Sequence, residues 1–421
     1  MARNARFQEG REPLASRSSL QLIGDKTTGP LAFLNPTSAD FAHTSLSPDE
    51  ESSGTTPKTP QESLPVTFSW SSRGNRKGRH VLKIQQPAGQ EKPNIAVPLA
   101  SRSPRIIFRN IVRMFTQYPV WDVSWLVAYI FTWGSIVWVI NGFFVWLPAE
   151  SPSTEFENEI LYGGGITAFI GATIFEFGSI LLVLEALNTN RSGCFGWAIE
   201  QAFHEGLSGN GHHQPNSKDD VALTVRPDKS RCGHHHSNKK NIVGKGRDAS
   251  QNSASSSTND KDGRSWIWWP SWEDLTTHYL HELGFLASFI QLIAATIFWI
   301  SGFTALPGIF DHLSSGLEDG VFWTPQVIGG TGFIISGFLF MIEAQKHIWQ
   351  PAFDKLGWHI GFWNLIGGIG FTLSPAFGYD HDSWAQYQAV LSTFWGGWAF
   401  LIGSGIQLYE SLDKHPVEVK T

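Results

Sequence analysis

Six stretches of this chain are long and apolar enough to cross a bilayer, and they restrict the fold more than any other feature. They cover residues 125–147, 164–187, 283–306, 324–344, 356–377 and 387–409. A spanning helix needs about 20 mostly apolar residues, and backbone within lipid must satisfy its own hydrogen bonds. Only Glu176 places a formal charge deep inside a stretch. A large soluble helical core is the competing reading. Soluble helices keep a polar face, whereas these are apolar on nearly every side. Trp121, Trp125, Trp146, Trp266, Trp323 and Trp384 gather at the ends, as amphipathic rings do at headgroup level. The fold class expected is an all-α membrane protein with six transmembrane helices.

A mean hydropathy of -0.12 conceals a split chain. Residues 1–104 are rich in Ser, Pro, Gly and charge and read as a disordered cytosolic tail, because they offer little apolar surface to offset ordering entropy. Residues 189–264 read in the same way, as a disordered His-rich cytosolic loop. Ser47, Thr56, Thr59 and Ser103 each precede a proline, a pattern that suits proline-directed kinases and also arises by chance in such tails. Residues 1–20 contain no apolar run, so no cleaved signal peptide is expected. A net charge of -6 gives no reason to expect nucleic-acid binding. Cys194 and Cys232 lie outside the apolar stretches, which argues against a disulfide framework.

Lys and Arg mark the cytosolic side. Arg102, Arg105, Arg109 and Arg113 precede the first stretch, and the long second loop, Lys346, Lys355, Lys414 and Lys420 carry the later basic charge. The odd loops are acidic instead, with Glu150, Glu155, Glu157 and Glu159, then Asp311, Glu318 and Asp319, then Asp380 and Asp382. The rule puts both termini in the cytosol, in the plasma membrane or an endomembrane.

The stretches also repeat in pairs. The even ones align without a gap on Gly171, Gly329 and Gly396, then Phe175, Phe333 and Phe400, then paired small residues, then Glu185, Glu343 and Glu410. Each pair opens on a proline, an aromatic residue and an acid: Pro119, Trp121 and Asp122; Pro270, Trp272 and Glu273; Pro351, Phe353 and Asp354. Leu283-Gly284-Phe285 further parallels Leu356-Gly357-Trp358. The organisation expected is membrane repeat 1 at 119–188, repeat 2 at 265–345 and repeat 3 at 346–413, in a bundle with approximate three-fold symmetry. A basic amphipathic helix at 105–118 precedes the repeats and a cytosolic tail at 414–421 follows them.

Hairpins that end in FGSILLVLE at 177–185 and FLIGSGIQLYE at 400–410 resemble the small YrhK-like membrane hairpins. The whole arrangement resembles multi-spanning integral membrane proteins of filamentous fungi. That resemblance covers the membrane half of the chain and implies no reaction. Mitochondrial carriers also have three two-helix units, but their P-x-[DE]-x2-[KR] signature is absent here.

Several side chains carry chemistry. Glu185, Glu343 and Glu410 suit either a carboxylate ring at a cation pathway or an ion-pair network, or else helix ends that are hydrated or pair with a neighbour such as Lys346 or Lys414. Asp122, Glu273 and Asp354 suit capping of the helices that follow them. Glu176 is costly in mid-span, by about 2.5 kcal/mol or more if charged. Asn141, Gln291 and Asn364 are the polar neighbours that could accommodate it. His278, His281 and Glu282 fall at i, i+3 and i+4, which suits either metal ligation or an interfacial polar patch. Cys232, His234, His235 and His236 form the other candidate metal cluster. Cys194 is a candidate for palmitoylation. Arg105, Arg109 and Arg113 recur every fourth residue among apolar ones, as in a helix lying on anionic lipid.

No catalytic triad, phosphate loop or dinucleotide fingerprint is present, so neither enzymatic activity nor a cofactor is expected. Two functions compete. In one, a small solute or cation passes through, or binds in, the bundle. In the other, the bundle is a non-catalytic membrane organiser or sensor whose cytosolic segments bind protein partners.

Overall fold

The computed structural model describes residues 20–22, 27–43, 66–85, 95–96, 98–189, 197–203, 221–227 and 266–420. Strands β1 (Leu20–Leu22), β2 (Ser38–His43) and β3 (Val66–Ser71) lead into the short helix α1 (Ser72–Arg76), strand β4 (Val81–Gln85) and strand β5 (Ile95–Ala96). Helix α2 (Pro104–Thr116) precedes the spans α3 (Val123–Glu150) and α4 (Gly165–Leu187). Strands β6 (Trp197–Phe203) and β7 (Val221–Pro227) and helix α5 (Trp272–Thr277) follow. The remaining elements are α6 (Leu283–Thr304), α7 (Ser315–Leu317), α8 (Thr324–Glu343), α9 (Leu356–Gly378), α10 (Ser383–Leu412) and β8 (Val417–Lys420).

The six expected spans are all present as long apolar helices. Each packs on its predecessor and successor, and α10 closes the ring against α3. Two even spans begin earlier than their apolar runs, through wide turns at Glu159–Gly164 and Glu318–Trp323 that continue into α4 and α8. Large apolar side chains such as Trp133, Ile140 and Phe177 point outward and are exposed, as a lipid-facing surface requires.

The bundle centre is aromatic. Trp138, Phe175, Phe298, Phe333, Phe371 and Phe400, one from each span, form a single buried cluster. The aligned glycines make this possible. A Cβ on Gly171 would lie 2.9 Å from Trp138, one on Gly329 2.7 Å from Phe298, and one on Gly396 2.9 Å from Phe371. Even spans thus use glycine where an odd-span ring crosses them, the close approach that small residues permit in membranes.

The largest departure from expectation lies in the N-terminal segment, read above as disordered. Parts of it form a five-stranded sheet of order β1-β2-β3-β4-β8, antiparallel except where β4 runs parallel to the C-terminal β8. Within the expected C-terminal tail at 414–421, Val417–Lys420 is therefore a strand of this sheet. Overall composition hid this, but local alternation carries it. Phe68, Trp70, Leu82 and Ile84 are buried at every second position, between half-buried Thr67, Ser69, Val81 and Lys83. Within the expected disordered loop, β6 and β7 pair antiparallel and β5 joins β7. The Cys232–His236 cluster and Cys194 lie outside the described residues.

Capping follows expectation at one of three places. Asp122 accepts the Ser124 N–H at the start of α3. Glu273 instead sits within α5, whose cap is Ser271. Asp354 is exposed, and Lys355 precedes α9. His278, His281 and Glu282 do not share a helical face, because the chain breaks between α5 and α6 there. Glu282 instead accepts a 2.7 Å hydrogen bond from Asn35.

Candidate functional site

The tip of the β3–β4 hairpin carries the densest basic run of the N-terminal segment, Arg73, Arg76, Lys77 and Arg79. Ser71 caps α1 by accepting the Gly74 N–H, and Gly78 turns back with a positive φ of 61°. The tip is driven into the end of the bundle where the even spans finish. Arg73, Arg76 and Lys77 are 7 %, 3 % and 1 % exposed, a degree of burial that cations reach only when paired.

Their partners are the three aligned glutamates. Arg76 grips Glu343 with two bonds of 2.7 and 2.8 Å, and Ser72 donates a third at 2.9 Å. Arg73 reaches Glu410 at 2.7 and 3.3 Å, and Arg79 joins it at 3.0 Å. Lys77 lies 3.5 Å from Glu185, which also receives the Ser124 hydroxyl and lies 3.8 Å from Arg76. Beyond the ring, Lys414 pairs with Asp122 at 2.7 Å and Arg79 with Asp413 at 3.7 Å. Four cations, Arg73, Arg76, Lys77 and Arg79, face four carboxylates, Glu185, Glu343, Glu410 and Asp413. The glutamates are therefore not hydrated helix ends, and neither Lys346 nor Lys414 pairs with them. Desolvating so many charges is repaid only by close geometry and hydrogen bonding, and in the two arginine slots each guanidinium makes two bonds to its glutamate.

Small residues make the slots. The second residue of each odd span is Ser124, Gly284 or Gly357. A Cβ on Gly284 would sit 1.6 Å from Arg76 Nη1, and one on Gly357 2.6 Å from Arg73 Cδ. The Leu-Gly-aromatic parallel in the sequence was this signal, though its partner lay in a segment read as unstructured.

Burial opposes the charge on both Arg76 and Lys77, with opposite outcomes. At Arg76 the charge and hydrogen bonds of Glu343, reinforced by Glu185 and Glu410, outweigh it and raise the guanidinium above its ordinary value. At Lys77 burial wins and, with the charge of Arg73 added, pushes the ammonium down to about 8 against the pull of Glu185.

Comparison of the chain with family models, characterised proteins and solved structures gives no match. The geometry alone bears on function.

Beneath the hairpin tip is a cavity of about 40 Å³, with Arg73, Arg76 and Lys77 above, and with walls made of the apolar Phe131, Leu182, Phe340 and Ile360 and the polar Ser135, Gln291, Ser336, Asn364, Ser404 and Gln407. Phe175 and Phe400 of the aromatic cluster close it below. The polar residues expected to surround Glu176 are dispersed. Gln291 and Asn364 face this cavity, while Asn141 donates to the Gly164 carbonyl and Thr167. Glu176 does not line the cavity. It lies on the α4–α6 seam, half-buried, and accepts a 3.0 Å bond from Thr296. Among the described residues no group of three His, Cys, Asp or Glu side chains could hold a metal ion.

Proposed function

We propose that this chain is a self-capped, non-catalytic membrane scaffold, in which a six-span bundle holds a folded cytosolic cap and the segments attached to it. One observation carries this reading. The bundle interior is closed at two successive levels, by the cations clamped to Glu185, Glu343 and Glu410 and by the six-ring aromatic layer. A solute path would have to open both. The test is ion flux into lipid vesicles that hold the purified protein. We expect flux no faster than through empty vesicles, and saturable flux through the unmodified protein would refute the scaffold reading.

Transport or channel activity is the second reading, favoured by the cavity between the two closures, into which Gln291, Asn364 and Gln407 reach. It requires the cap to act as a gate. The same vesicles distinguish it, because a variant with Arg73→Gln, Arg76→Gln and Lys77→Gln would then conduct while the unmodified chain stays closed.

Three tandem two-helix repeats in approximate three-fold arrangement, related to YrhK-like hairpins, form part of the same proposal. Its support is that residues at matching positions do related things: Trp138, Phe298 and Phe371 cross the aligned glycines, Gly284 and Gly357 make room for Arg76 and Arg73, and Ser124 donates to Glu185. Cytosolic placement of the cap rests on the basic flanks at that end.

Helix α2 supports an anionic-lipid partner. Ile106 and Asn110 are buried against the protein, while Ile107, Phe108, Ile111, Val112 and Phe115 form an exposed apolar strip. Arg105, Arg109 and Arg113 border that strip, as an interfacial helix on acidic headgroups requires. Each arginine is worth about 1 kcal/mol at such a surface. Arg105→Gln, Arg109→Gln and Arg113→Gln together are therefore expected to cost about 3 kcal/mol of anionic-lipid affinity. The ratio of co-purified phosphatidylserine to phosphatidylcholine reads this, and an unchanged ratio refutes it.

A further inference from the structure

We infer that the cavity under the cap is a binding site for one small anion of halide size, held between the cap cations and a ring of side-chain amides. The inference rests on the docked cap, which supplies the roof.

Gln291, Asn364 and Gln407 project into the cavity from three different spans, and none of their side chains makes a hydrogen bond among the described residues. Gln407 is 6 % exposed. A buried carboxamide carries two N–H donors and a carbonyl acceptor that seek partners. Here they meet around a space of about 40 Å³. A single water needs roughly 10–15 Å³ of such space, so the cavity takes one monatomic ion or a few waters.

Electrostatics selects the sign. Arg73, Arg76 and Lys77 line the cavity, whereas Glu185, Glu343 and Glu410 do not. The cavity thus borders the three cation-bearing side chains of the cap and none of the three glutamates. Lys77 has the least compensation of the three, with its single carboxylate contact at 3.5 Å. An anion beneath it adds a second negative contact to that long one, and the amide N–H groups complete its shell. A cation would border three cation-bearing side chains with no carboxylate among the lining residues to receive it.

The test uses the full chain in lipid nanodiscs. Melting is compared in sodium chloride, sodium bromide and sodium gluconate at equal ionic strength, with trypsin protection of the Arg73–Arg79 tip recorded on the same samples. We expect the midpoint to rise saturably with chloride or bromide over gluconate. The rise should vanish in Gln407→Leu and in Asn364→Leu, measured singly so that one poorly folding variant leaves the other. Bromide anomalous scattering should place the ion beneath Lys77. Equal midpoints in all three salts with a protected tip overturn the anion site and leave the cap standing, as does water alone in the cavity. An unprotected tip overturns both. A halide shift that survives both substitutions places the anion elsewhere and overturns the site.

Discussion

Arg76→Met should loosen the cap from the bundle by two to three orders of magnitude. Arg76 makes two bonds to Glu343 and approaches Glu185 at 3.8 Å, so its loss strands buried carboxylate charge. Removing one partner of a buried ion pair costs about 3–5 kcal/mol, and 1.4 kcal/mol is about tenfold. Burial shields the tip from trypsin, and cleavage of a transiently opened segment tracks the open population. The measurement is therefore the rate of tryptic cutting at Arg73, Lys77 and Arg79 in the intact membrane protein. A rate within twofold of the unmodified chain would refute the ion-pair account. The double variant Arg76→Met with Glu343→Met should recover much of the protection, because replacing a buried pair by apolar groups is often nearly neutral.

Lys77→Met should cost clearly less. Glu185 keeps the Ser124 hydroxyl and Arg76, and the Lys77 charge was poorly accommodated to begin with. Its ammonium lies at about 8 in the docked cap, below its ordinary value of 10.5. The docked state thus binds fewer protons across that window. Its handicap is fully present below about 8 and is relieved as pH rises towards 10.5, so docking tightens over that range. Lys77→Met should flatten this pH dependence.

The membrane half of this fold was legible in the sequence because lipid imposes one rule on every span. Apolar length marked all six helices, although two even spans start earlier than their apolar runs, at Glu159 and Ser315. At the aligned positions the glycines seat aromatic rings and the glutamates meet the cations of the hairpin tip. The partner of those glutamates was not legible from them. A carboxylate at a helix end looks the same whether water or a guanidinium meets it, and Arg73 lies 337 positions from Glu410 in the chain. The hairpin that brings it there is short and sits in sequence whose composition resembles a linker. Only the alternation of Phe68, Trp70, Leu82 and Ile84 around the basic run argued otherwise. Glu176 shows the converse. Its isolation in mid-span drew attention, yet it sits on a helix seam with Thr296 as its hydrogen-bond partner and takes no part in the central cluster.

Gly284→Ala should also detach the cap, although it adds one methyl group to a helix that would otherwise welcome it. Alanine gains about 1 kcal/mol over glycine in a helix interior. Against this, the new Cβ would stand 1.6 Å from Arg76 Nη1 and 2.6 Å from Glu343 Oε1. The guanidinium is the end of a flexible side chain, but its slot leaves it little room. It is held by both oxygens of Glu343 and lies 5.5 Å over the Phe340 ring. To avoid the methyl it must give up that bidentate grip, and the loss of about 3–5 kcal/mol exceeds the helical gain. Gly405→Ala is the control, because no heavy atom lies within 4 Å of a Cβ built there. The tryptic rate at the tip should rise by at least tenfold for Gly284→Ala and stay unchanged or fall for Gly405→Ala. Equal rates for the two variants would mean that the Arg76 slot does not hold the cap.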